Sequence, residues 1–247
     1  MTYCVGLQLD RGLVFMSDTR TNSGVDNISV FPKMHQWSVP GDRVITLLSA
    51  GNLATTQTVV SLLDERSKVP ADRQPSILEV PTMFQVAELV GGLLRDTIAQ
   101  HSQTGQRAEA KFNATLILGG QIKGMPPRLF LIYPEGNFIE TSPETPFMQI
   151  GETKYGRPIL LRAYRSEMTF EDAIKLLLVS FDSTIKANLS VGLPIDVSVY
   201  ETDTLEARET IRITQDDEYY RSISEGWGEQ LRVAVQSLPD FDFDAYR

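Results

Sequence analysis

The sequence predicts an α+β fold, with antiparallel sheets stacked on one another and covered by helices. Strand-like and helix-like segments come in blocks: strands, two helices, strands, two helices, then a strand pair. No G-x-G-x-x-G follows a strand, so a doubly wound parallel sheet has no support. A plain sandwich would leave four long helices without a place.

Residues 2–9 (TYCVGLQL) and 12–18 (GLVFMSD) are short apolar runs separated by Asp10-Arg11-Gly12, a hairpin signal. With those three residues as the loop, Leu9 faces Leu13 and Cys4 faces Asp18. Thr2 then becomes a diagonal neighbour of Asp18 on one face. Residues 43–50 (RVITLLSA) read as a buried strand. Residues 52–66 and 82–103 carry apolar side chains at helical spacing, Leu53, Val59, Val60 and Leu63, then Met83, Val86, Val90, Leu93, Leu94 and Ile98. Three strands follow at 113–120, 128–133 and 136–141, with turns at Gly119-Gly120 and Pro134-Glu135-Gly136. Residues 154–165 and 169–187 read as helices, the second opened by Thr169 with Asp172 three residues on. Residues 195–201 and 207–213 read as late strands, and a short helix lies around Trp227–Val235 before an acidic end, DFDFDAYR. The chain reads as one domain over residues 1–247, with a C-terminal extension from about 214.

The 247 residues carry 23 Lys+Arg and 32 Asp+Glu, a net charge of −9, which excludes a general nucleic-acid surface. One cysteine cannot form an internal disulfide, and two distant histidines give no zinc cluster. No cofactor or metal is expected. The uncharged run 44–63 contains Asn52, Gln57, Gly51, two Ser and four Thr, so it reads as strand, turn and helix and not as a membrane span. No signal peptide is visible, and a cytoplasmic protein is expected.

Chemistry points to the N-terminus. Thr at position 2 permits removal of Met1, which makes Thr2 the first residue and gives it both a hydroxyl nucleophile and an α-amine base. Asp18, at the end of an apolar strand, needs a partner, and Lys33 in NISVFPKMH is a candidate. Cys4 reads as a buried strand residue, and His35 and His101 show no partners for a triad.

Thr2, Asp18-Thr19-Arg20 with Gly24, and Lys33 resemble the Thr, Asp-x-Arg, Lys pattern of proteasome β subunits and N-terminal nucleophile hydrolases. LSAGNLATTQ (48–57) resembles that family's strand–glycine–helix segment. MTYCVGLQLDRGLVFMSDTRTNSGVD, IGETKYGRPIL and ISEGWGEQLRVA are similar to segments of the bacterial proteasome-like Anbu family, and the resemblance spans essentially the whole chain. It implies a four-layer αββα sandwich and a threonine-type peptidase or amidase. It implies Thr2 as nucleophile and base, Lys33 tuning that base, Asp18 anchoring Lys33, and Gly51 donating its N–H to the oxyanion. It places Asn22 on the edge that binds an extended peptide and Leu53 on the side-chain pocket wall. Arg20, Glu152 and Ser190 are supporting candidates.

The sequence departs from that pattern in three places. The Asp18–Lys33 spacing is one residue shorter than in proteasome subunits. Two supporting positions read Gly151-Glu152-Thr153 and Ala187-Asn188-Leu189-Ser190, the latter without the family's Asp. These departures motivate two alternatives: a catalytically weak or inactive self-assembling scaffold, and a small-amide acylase or amidotransferase. The resemblance also implies self-association into a ring or helical oligomer, with a peptide or amide as substrate. No G-x-x-x-x-G-K-[ST] motif is present, so any ATP-dependent partner is a separate protein.

Overall fold

The computed structural model describes residues 2–22, 28–68, 75–104 and 112–247. Met1 and Gly24 lie outside them, as does the side chain of Asn22.

Strands β1 (Tyr3–Leu9), β2 (Gly12–Asp18), β10 (Phe147–Gly151), β11 (Ile195–Glu201) and β12 (Ile211–Ile213) form one sheet, in the order β10-β1-β2-β11-β12. Strands β5 (Met34–Val39), β6 (Arg43–Gly51), β7 (Ala114–Ile122), β8 (Arg128–Ile132) and β9 (Phe138–Glu140) form the second, in that order. A two-stranded ribbon joins β3 (Arg20–Asn22) to β4 (Ile28–Val30). All pairings are antiparallel.

Alternation along the strands builds three apolar layers. Cys4, Leu13, Phe15, Leu48, Ile117 and Tyr200 fill the space between the sheets. Tyr3, Val5, Val14 and Met16 face the other way, onto Leu177 and Phe181 of α4 (Phe170–Ala187) and Leu160 of α3 (Thr153–Ala163). Leu47, Leu116 and Leu118 pack on Val59 and Leu63 of α1 (Leu53–Lys68) and on Val90 and Leu94 of α2 (Met83–Thr104). The result is the expected four-layer αββα sandwich. The uncharged run 44–63 divides into β6 and α1 at Gly51. Among the described residues no helix is long and apolar enough to cross a membrane.

Three expectations are corrected. The β1–β2 turn is two residues long: Leu9 pairs with Gly12 and Cys4 with Ser17, so the diagonal placement of Thr2 and Asp18 fails. Continuing the observed register brings Tyr3 level with Asp18. The glycine belongs to the sheet and not to the turn. Gly12 (φ +150°) also pairs with Glu201 of β11, where a Cβ would stand 2.0 Å from the Tyr200 carbonyl oxygen. The late strand at 207–213 contracts to Ile211–Ile213. The short helix becomes α5 (Glu218–Gln236), 19 residues long, capped by Asp217, whose carboxylate accepts the Tyr220 N–H at 2.8 Å. Gly226 and Gly228 weaken its helical signal, but Tyr220 and Ile223 anchor its first turns on the core beside α4. Beyond these, Gly119-Gly120 lies inside β7 and not at a turn, and strands β5 and β10 were not expected.

Gly12→Ala should lower the urea unfolding free energy by more than about 2 kcal/mol, because β11 backbone blocks the new methyl. Gly41→Ala, where a Cβ meets nothing within 4 Å, should cost only about 1–2 kcal/mol from its positive φ. Equal losses would refute this account of the register.

Candidate active site

Residue 2 is held from both sides. The Thr2 carbonyl accepts the Glu152 N–H at 2.7 Å, and the next amide, Tyr3 N–H, donates to Asp18 Oδ1 at 3.0 Å. Gly151 makes the first contact possible. Its φ is +84°, and a Cβ there would lie 1.8 Å from the Thr2 oxygen. Below, the Tyr3 ring packs on Phe181 with centroids 4.5 Å apart, and its hydroxyl bonds Ser180 at 2.8 Å and accepts from Gln149 Nε2 at 2.5 Å. Burial pushes the Tyr3 phenol up to about 12, so it stays a neutral anchor.

Asp18 is fully buried at the end of β2. Lys33 Nζ donates to its Oδ1 at 2.7 Å and to the Arg20 carbonyl at 2.6 Å. The Lys33 carbonyl accepts the Ser49 N–H of β6 at 2.9 Å. Burial raises the Asp18 carboxyl above its ordinary value; the Lys33 charge and the bonds from Lys33 and Tyr3 N–H oppose that rise. Asp18 Oδ2 has no hydrogen-bond partner among the described residues.

A cavity of about 410 Å³ opens here, lined by Thr2, Thr21, Lys33, Gly51, Leu53 and Glu152, with Pro32, Ser49, Ala50, Thr56 and Gly151. The sequence-predicted Thr2, Asp18, Lys33, Gly51, Leu53 and Glu152 therefore meet in or directly behind one cleft. Gly51 ends β6, two residues past the Ser49 amide that bonds Lys33. Asn52 then starts α1: its Oδ1 accepts the Thr55 N–H at 3.0 Å. Arg20 contacts Lys33 through its carbonyl, while its side chain lies against Gly192. Asn22 lies in β3 opposite Ile28. Ser190 is not on the cavity wall; its hydroxyl donates to Asn188 Oδ1 at 2.6 Å in the turn after α4.

Sequence reasoning missed Thr21, Pro32, Ser49 and Thr56. Thr21 stands in the same D-T-R-T-N run as Arg20, and its buried Oγ1 has no partner among the described residues. Ser49 and Thr56 belong to the strand–glycine–helix segment already singled out. Cys4 is fully buried, its Sγ 3.7 Å from the Ser49 carbonyl, and burial with the nearby Asp18 charge drives the thiol well above its ordinary value. It is not a thiolate nucleophile. His35 is shifted down by burial. His101 lies 3.5 Å from Thr55 Oγ1, bridging α2 to α1.

The family model described as proteasome subunit matches residues 2–200. Proteasome subunit beta type-7 of Dictyostelium discoideum is 26% identical over 205 residues, covering 81% of this chain and 67% of its own. Anbu (ancestral beta-subunit) from Yersinia bercovieri is 46% identical with a TM-score of 0.91, covering 98% of this chain and 100% of its own. Anbu from Hyphomicrobium sp. strain MC1 is 50% identical with a TM-score of 0.89, covering 97% of this chain and 99% of its own. The helical assembly of the Anbu complex from Pseudomonas aeruginosa gives 42%, a TM-score of 0.92, and coverage of 99% and 100%. With the family model matching residues 2–200 and the Anbu structures matching nearly the whole chain at 42–50% identity, the chain belongs to the proteasome subunit family, in its Anbu branch.

Proposed function

We propose that the chain is a threonine-type N-terminal nucleophile hydrolase that cleaves peptide or small amide bonds after Met1 has been removed. The observation that carries this reading is the buried Lys33–Asp18 pair at 2.7 Å, bonded through Tyr3 N–H to the residue next to Thr2 on the wall of a cleft. Thr2 Oγ1 attacks the amide carbonyl, and its proton passes to the Thr2 α-amine. The Lys33 ammonium lowers the pKa of that amine and favours negative charge on the Thr2 oxygen. Gly51 N–H receives the oxyanion. As the C–N bond breaks, the amine returns the proton to the leaving nitrogen, which leaves an acyl ester on Thr2. Water, deprotonated by the same amine, hydrolyses that ester and restores the hydroxyl.

The β3 edge bearing Thr21 and Asn22 takes an extended substrate as an added strand, and Leu53 contacts its side chain. Copies of the chain associate with one another, as in the helical Anbu assembly of Pseudomonas aeruginosa.

Intact mass should show loss of Met1, and an epoxyketone or β-lactone should add one equivalent to the wild type and none to Thr2→Ala. The adduct rate should fall about tenfold per pH unit below the α-amine pKa, whose reference value is about 7.7–8.0. Retained Met1 with no adduct at any pH would refute the mechanism and favour the scaffold reading, which the placement of Ser190 off the cleft supports.

Asp18→Asn leaves the Lys33 charge buried and should cost about 3–5 kcal/mol in denaturant unfolding. Adding Lys33→Met removes the stranded charge and should recover at least half of that loss, yet adduct formation should stay abolished. Restored labelling in the double variant would show that the pair serves only stability.

A further inference from the structure

The exposed surface of α3 contrasts with the rest of this acidic chain. Residues 153–165 contain four cations, Lys154, Arg157, Arg162 and Arg165, and no acidic residue, although the net charge is −9. All four are exposed. None of them forms an ion pair among the described residues. Lys154 and Arg157 stand near the helix N-terminus, where the macrodipole disfavours cations, so local helix stability does not explain them. Between them lie exposed apolar side chains, Tyr155 (39%) and Leu161 (61%).

The C-terminal segment has the opposite character. Leu231 and Val235 lie four residues apart on α5, Leu238 follows two residues beyond its end, and all three are exposed. Residues 238–247 then hold Asp240, Asp242 and Asp244 against Arg247 alone. Phe241, Phe243 and Tyr246 are 63%, 74% and 79% exposed, yet they cluster, with Phe241 stacked on Tyr246 at 5.1 Å and edge-on to Phe243 at 4.8 Å. A clustered aromatic patch left in water marks an interaction surface.

We infer that residues 238–247 of one copy dock on the α3 face of a second copy, their aspartates against Lys154, Arg157 and Arg162 and their aromatic rings against Tyr155 and Leu161. Charge complementarity selects this occupant: the segment is acidic and apolar where α3 is basic and apolar, and its carboxylates complement the N-terminal end of the α3 dipole. The contact joins two different patches, so repeated head to tail it gives a ring if the rotation closes and a helix if it does not. It also reaches the site, because α3 begins one residue after Glu152, whose amide holds the Thr2 carbonyl. This inference rests on the self-association proposed above and names its surfaces.

The test is sedimentation of the full chain with paired charge reversals. Lys154→Glu with Arg157→Glu, or Asp240→Lys with Asp242→Lys, should each weaken association about tenfold. Combining the two sets should bring it back to within about threefold of wild type. Unchanged thermal unfolding midpoints establish that the exposed substitutions leave the fold intact. The second measurement is disulfide cross-linking, since Cys4, the one natural thiol, is buried. Mixing Arg162→Cys chains with Phe243→Cys chains should give a covalent heterodimer. A wild type that stays monomeric would overturn both this inference and self-association. A wild type that associates but ignores both reversals, or the absence of the heterodimer, would overturn the assigned surfaces alone.

Discussion

The ion pair between Asp18 and Lys33 is the constraint on which the cleft end of the molecule depends. Two charges with side chains 0% and 6% exposed carry a large desolvation cost, and only close geometry with further hydrogen bonds offsets it. Each of those bonds ties down a different segment. Tyr3 N–H brings in β1, the Arg20 carbonyl brings in β3, and the Lys33 carbonyl binds the Ser49 amide of β6. The seam between the sheets is apolar through Cys4, Phe15, Leu48 and Ile117, and at this end a polar knot closes it. Position 2 is fixed as a consequence, with its carbonyl on Glu152 N–H and the next amide on Asp18. Asp18 Oδ2 and Thr21 Oγ1, which have no hydrogen-bond partner among the described residues, concentrate polarity beside the cleft, where the pair has already committed its other bonds.

Much of the fold was legible because long apolar periodicities are robust. β6, α1, α2 and α4 bury continuous stripes whose spacing survives any local detail. What failed was decided between segments. Gly12 looks like a turn glycine from its neighbours alone; that it is required against the Tyr200 carbonyl is known only once β11 lies beside β2. β10 reads locally as the lead-in to α3, and becomes a strand because the β1 edge offers it partners from Tyr3 to Leu7. α5 outruns its own weak propensity because Tyr220 and Ile223 find the core beside α4.

The site was legible in a different way. Thr2, Asp18 and Lys33 are residue types whose chemistry needs partners, and their mutual need pointed to one place; Gly51 came from the family resemblance alone. The geometric route was wrong by one residue in register, yet Asp18 still reached the neighbourhood of Thr2, through the Tyr3 amide. Arg20 illustrates the limit: the sequence offers a guanidinium, and the structure uses the carbonyl. Backbone roles of that kind carry no side-chain signature, and neither does the cavity wall made by Pro32 and Ala50.

Glu152 and Gly151 link the site to the outer surface. The amide that holds Thr2 belongs to the residue capping α3, and that cap makes no side-chain hydrogen bond. No side-chain cap secures the first turn of α3 as Asp217 secures that of α5, and Lys154 and Arg157 oppose its dipole. An anionic segment lying over that turn would neutralise the opposition and steady the helix from outside. The Gly151–Glu152 corner would be steadied with it, and so would the carbonyl of the proposed nucleophile. Because the β10–α3 junction is short and carries a glycine at φ +84°, there is little slack in which such a restraint could dissipate. On this reasoning assembly and a well-positioned Thr2 draw on the same helix end, and a monomer would keep the cleft with a looser hold on residue 2.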